Sequence, residues 1–105
     1  MIKRNFFFNG YHYTETIATG ATGNTVIIPP FDSGKSITCT LIAGTSTGKF
    51  QITTSSDSAV TAGTATWQDW YEGNKTGTVS DAIISPVTAV RGVSVSGAIV
   101  IEIVI

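Results

Sequence analysis

The segment Ala98–Ile105, "AIVIEIVI", admits few structures. Seven of its eight residues are apolar and six are Ile or Val. β-Branched side chains are stiff about χ1 and fit a pleated sheet better than a helix. In a strand, side chains alternate between faces, so Ile99, Ile101, Ile103 and Ile105 share one face and Val100, Glu102 and Val104 the other. The isoleucine stripe is predicted to enter a core. The second stripe is predicted to face outward, with Glu102 as its polar marker and as a guard against edge-to-edge pairing. Val100 and Val104 on that face predict a further strand or chain covering them. The segment is far shorter than the roughly 20 residues a membrane helix needs.

The same chemistry extends through the chain. Val, Ile and Thr supply 39 of 105 residues, whereas Leu occurs once, at Leu41. Ser, Thr and Gly supply 38, which reads as strands joined by turns. No window carries a helical stripe over two or three turns. "SITCTLIA" (Ser36–Ala43) alternates, with Ile37, Cys39, Leu41 and Ala43 on one face. "GTSTG" follows, then "KFQITT", so the two runs are predicted to form a hairpin. "SSDSAVTAG" is predicted as a loop or short edge strand, "TATWQDWYEG" as a strand and "NKTGT" as a turn. The fold expected is an all-β antiparallel sandwich of about seven or eight strands, jelly-roll or immunoglobulin-like. Residues 1–20 are expected to form an N-terminal aromatic arm or first strand, and 21–105 the sandwich domain.

In "VTAVRGVSVSG", strict alternation with Val93 and Val95 would turn Arg91 inward. Burying an unpaired guanidinium is far costlier than one irregular hydrogen bond, so a bulge at Gly92 is predicted. That bulge would place Val90, Val93 and Val95 inside and Arg91 outside.

Charge and motifs exclude several functions. The formal net charge is −1 and charged residues make up 12% of the chain, too little basic character for a nucleic-acid face. Lys3 and Arg4 precede only three phenylalanines, short of the roughly 7–15 apolar residues of a secretory signal. The expectation is a soluble chain beginning at Met1, with no membrane segment. "GTSTG" matches G-x-S-x-G, but both flanks read as strands and the single histidine, His12, precedes Ser46. "GKS" at Gly34–Ser36 lacks the first glycine of a phosphate-binding loop, because Pro29 stands there. One His and one Cys cannot build a zinc site, and Asp69, Glu72 and Asp81 lack calcium-loop spacing. Cys39 reads as a small buried residue. No catalytic residue, metal or cofactor is expected, and the chain is not expected to be an enzyme.

The aromatic residues are the candidate interaction surface. "FFFNGYHY" carries Phe6, Phe7, Phe8, Tyr11 and Tyr13. Consecutive side chains in a strand point opposite ways, so they cannot all enter one core. Either the segment lies between two layers or it docks on another chain. Docking is the preferred reading. Trp67 shares a parity with Ala65 and is predicted to be core. Trp70, of opposite parity, is predicted to be partly exposed with Tyr71, suited to a sugar ring or a protein contact.

"GKFQITTSSDSAVTAGTATWQDWYEG" and "SPVTAVRGVSVSGAIVIEIVI" together resemble small β-sandwich virion proteins of tailed bacteriophages, among them capsid decoration and cement proteins. The resemblance covers about the last sixty residues. It implies a structural role in the virion, with a coat or other virion protein as partner and a homo-oligomeric or multivalent assembly. The expected contacts are the aromatic arm and the outer stripe Val100, Glu102 and Val104. The alternative expectation is a carbohydrate- or receptor-binding module using Trp70 and Tyr71.

Overall fold

The computed structural model describes residues 3–5, 10–28, 36–83 and 87–105. The elements are β1 (Lys3–Asn5), β2 (Gly10–Ile17), β3 (Val26–Ile27), β4 (Ile37–Thr53), α1 (Asp57–Ala62), β5 (Gln68–Ile83), β6 (Ala89–Ser96) and β7 (Ile99–Val104). All strand pairings are antiparallel. β4 and β5 are too long for one layer and serve both. The first half of β4 and the second half of β5 complete a five-stranded layer, β1-β2-β7-β4-β5. The other halves complete a four-stranded layer, β3-β6-β4-β5. The two layers pack face to face as a β-sandwich of about nine strand segments, the all-β class expected.

The predicted hairpin from Ser36 to Thr54 is therefore a single bent strand, and the predicted "NKTGT" turn lies inside β5. The bend explains both differences. Register shifts between Ile42 and Thr47, where four β4 residues face the single β5 residue Gly77. Gly44, Gly77 and Gly97 have φ of 61°, 74° and 74°, a left-handed conformation that glycine adopts without steric cost. These glycines bring β4, β5 and the β6–β7 link around one corner. Turn-forming residues at that corner redirect strands without ending them.

"SSDSAVTAG" forms α1 instead of a loop or strand. Ser56 accepts the Ala59 N–H at 3.2 Å as N-cap, and Gly63 (φ 78°) closes the other end by donating to the Ala59 and Val60 carbonyls. The helix buries none of its residues, so it carries no apolar stripe that periodicity would reveal.

The core lies between the layers. Ile37, Cys39, Leu41, Ile99, Ile101 and Ile103 enter it from the five-stranded layer, and Val26, Phe50 and Val90 from the other. Ile99, Ile101 and Ile103 are at most 1% exposed, each stabilising the fold by roughly 1.5–3 kcal/mol. The stripe read from the terminal segment is thus the centre of the core.

β6 departs from its expected pattern. Gln51 pairs with Arg91, Phe50 with Gly92 and Lys49 with Val93 without interruption, so no bulge occurs at Gly92. Val90, Gly92 and Ser94 face inward, while Arg91, Val93 and Val95 face outward. The layers come too close for side chains at two of the inward positions of the second layer. A methyl at Gly92 would stand 2.7 Å from Ile17 Cδ1 and 3.0 Å from the Ile101 side chain. A methyl at Gly48 would stand 2.6 Å from Ile99 Cδ1. Ser94 is buried but satisfied: its hydroxyl accepts the Gly20 N–H at 3.0 Å and donates to the Gly97 carbonyl at 2.6 Å. Arg91 does point outward, as predicted, through simple alternation.

Candidate functional site

The outer face of the five-stranded layer is a regular array set by register. One row runs His12, Val104, Thr38 and Ala82 from β2 to β5; the next runs Thr14, Glu102, Thr40 and Ser80; the third runs Thr16, Val100, Ile42 and Thr78. β-Branched residues fill it, with hydroxyls the commonest polar groups. His12 Nε2 lies 3.5 Å from Glu102 Oε2 and 3.2 Å from Thr14 Oγ1. The Thr40 and Ser80 hydroxyls hydrogen-bond across the strands. Ile42 is 38% exposed.

Glu102 faces outward, as parity predicts, but it does not guard an edge. β7 pairs with β2 on one side and β4 on the other, so its backbone is fully engaged. Val100 and Val104 are half-buried beside in-sheet neighbours, Thr16 and Ile42 for Val100, His12 and Thr38 for Val104.

A second feature lies inside the corner. Cys39, Leu41, Phe50, Trp70 and Val79 line a small, solvent-open cleft with an enclosed volume of about 20 Å³, with Lys49, Lys75 and Asp81 also contributing. Trp70 is half-buried and packs edge-to-face on Phe50, centroids 6.2 Å apart and planes at 71°. Phe50 and Trp70 are direct cross-strand partners and so share the inner face. Trp70 has the partial exposure predicted for it while packing on the core, whereas Trp67, predicted to be core, lies outside it.

Trp67 belongs to a third feature, the outer face of the four-stranded layer. Asp69, Gln51 and Arg91 form one row across β5, β4 and β6. Asp69 accepts from Lys49 Nζ at 3.1 Å and from Gln51 Nε2 at 3.0 Å. Both donors hold its carboxyl below the ordinary range, Gln51 contributing most. The Gln51 amide oxygen in turn accepts Arg91 Nε–H at 2.8 Å. The Arg91 guanidinium carbon sits 4.1 Å from the centre of the Trp67 ring, a cation–π contact. Burial lowers the Arg91 pKa, yet a guanidinium stays charged at any physiological pH.

Of the residues expected at an interaction surface, Phe6, Phe7 and Phe8 lie outside the described residues. Tyr11 is in β2, opposite Arg4, and Tyr71 is in β5. Tyr13 is not on a surface. It is 3% exposed in the core, and its hydroxyl donates to Glu15 Oε1 at 2.7 Å. An aromatic ring of the inward parity was available to fill the layer, and Glu15 satisfies its polar end. Glu15 also accepts the Asn24 N–H, at 3.1 Å to both oxygens.

The structure does not bring Trp70, Val100, Glu102 and Val104 together: the outer stripe of β7 and the corner cleft lie on opposite faces of the five-stranded layer. Sequence reasoning missed the Lys49–Asp69–Gln51–Arg91–Trp67 row. Its only sequence signal is that Lys49 and Gln51 take the parity opposite to Phe50 and Ile52.

Chemistry at the other motifs is constrained. Cys39 is 1% exposed, and burial pushes its thiol up to about 12, so it is not a thiolate at neutral pH. Ser46 lies within β4 at the corner, against Gly97, not at a strand-to-helix turn. Among the described residues no three His, Cys, Asp or Glu side chains gather to hold a metal, and no helix is long and apolar enough to cross a membrane. Comparison with protein-family models, with curated proteins and with solved structures returns no match in any of the three.

Proposed function

We propose that the chain is a structural protein of a tailed-phage particle, a capsid decoration or cement protein that docks on coat subunits. The observation carrying this reading is the outer face of the five-stranded layer. From β2 to β5 it is built mainly of β-branched side chains in register, with Ile42 exposed and the His12–Glu102 pair among its few ionisable groups. A face of this kind loses little on desolvation, because few charges must shed water. The virion-like layout of the last sixty or so residues supports the same reading. Several copies bridging neighbouring subunits would make modest individual contacts strong in sum, through effective concentration. Cosedimentation with empty tailed-phage capsids tests the reading, and Ile42→Glu is expected to abolish association. Absence of association at every salt concentration would sink it.

The cleft beside Trp70 supports a second reading, a carbohydrate- or receptor-binding module. Its apolar floor and charged rim suit a ring with polar substituents. A glycan array tests it. Binding that survives Trp70→Ala unchanged would remove Trp70 from the site.

A further inference from the structure

The outer face of the four-stranded layer holds an arginine that no carboxylate of the described residues pairs with. The row Asp69–Gln51–Arg91 places a neutral amide between the carboxylate and the guanidinium. Asp69 is already engaged by Lys49 and Gln51. Gln51 takes only Nε–H of Arg91, and Trp67 covers one guanidinium face. Among the described residues no carboxylate pairs with Arg91, and its two terminal nitrogens make no hydrogen bond. Side-chain entropy is the usual cost of using a long cation for recognition. Here the amide and the indole meet much of that cost in advance.

We propose that Arg91, held by Gln51 and Trp67, is a receptor for one carboxylate of an acidic peptide segment on a partner protein. The planar fork of a guanidinium matches a carboxylate bidentately, which an ammonium cannot do. The surroundings select a peptide over an acidic sugar. Ile27, opposite Ala89, is 41% exposed on the same face, and along β6 from Arg91 come Val93, half-buried, and then Val95, 44% exposed. Such flanks match apolar side chains next to a Glu or Asp, not hydroxyls. This site lies on the opposite side of the sandwich from the face proposed to dock on coat subunits, and stands whether or not that reading holds.

The test is a titration of the isotopically labelled full chain, read at the Arg91 Nε–H and Trp67 indole N–H resonances. The probes are Ac-Val-Glu-Val-NH2, its Gln counterpart and sodium glucuronate. Saturable shifts with the Glu peptide are expected, about tenfold weaker with the Gln peptide. Arg91→Lys retains the positive charge and is expected to weaken binding by about tenfold, read at the indole, with the thermal melt confirming the fold. Gln51→Glu is a second variant: it sets a carboxylate against the guanidinium within the folded chain and is expected to abolish peptide binding. Equal shifts with Glu and Gln peptides, or undiminished binding in both variants, would overturn the proposal. So would saturation by glucuronate without saturation by the peptide.

Discussion

β6 and β7 are consecutive strands, both with alternating β-branched residues, yet they meet the core in opposite ways. β7 sends its largest side chains inward: Ile99, Ile101 and Ile103 are all but fully buried. β6 sends Val90, Gly92 and Ser94 inward and leaves Val93 and Val95 outside. The difference is one of available volume. The isoleucines of β7, with Ile17 of β2, reach across the layer gap and occupy the space that β6 side chains would need. Hydrophobicity alone does not decide which parity of a strand is inner; the opposing layer does. A valine on the outer face costs little, whereas a valine in place of Gly92 would overpack the core.

The strongest way to break this comparison is to remove the filler. Truncation before Ile101 deletes a central strand hydrogen-bonded on both sides, and loss of cooperative thermal unfolding is expected. Ile101→Ala is the milder form, expected to cost about 2–5 kcal/mol in denaturant unfolding. A cooperatively melting truncated chain would show that β7 is an assembly arm and not the core strand described above.

Gly92→Ala sharpens the comparison from the other strand. Its methyl meets Ile17 and Ile101, so a loss of about 1–3 kcal/mol is expected. The pair Gly92→Ala with Ile101→Val should recover part of that loss, because the contact is shared. Val95→Thr, on the outer face of β6, is expected to change stability by less than about 0.5 kcal/mol. Equal effects at positions 92 and 95 would erase the distinction drawn here.

The smallest expected effect belongs to the polar row beside β6. The folded-state pKa of Asp69 is depressed, so its pairing with Gln51 and Lys49 contributes stability above the ordinary carboxylate pKa. That contribution is lost as pH falls through the lowered value. Because the carboxylate is exposed, screening keeps the effect slight. Asp69→Asn should lower stability slightly near neutrality and leave it unchanged below the depressed pKa, so the acid limb of a stability–pH profile becomes slightly flatter.

Much of the architecture was legible in the sequence. Alternation in "SITCTLIA" and "AIVIEIVI" assigned the inner faces of β4 and β7 correctly, and Cys39 is the buried small residue expected. α1 was signalled only by its two caps, Ser56 and Gly63, because six residues are too few for a helical period to emerge. The candidate site was less legible. Tyr13 and Trp70 carry aromatic rings suited to surfaces, yet both pack on the core, since their strand partners fix their facing. Trp67, read as core, instead stacks on Arg91 of β6, on the far side of β4, a contact between residues 24 positions apart.

Local chemistry determined that this chain makes strands, where an isoleucine stripe runs, and that little charge is available for function. Those properties follow from χ1 stiffness and a period of two, both readable residue by residue. Only the tertiary structure decided that glycines at 44, 77 and 97 bend strands around a corner, and that Gly92 and Ser94 face inward. It alone also placed a glutamine between Asp69 and Arg91. Each of those outcomes depends on what stands across a layer or on a neighbouring strand, and that is fixed only once the two sheets have packed.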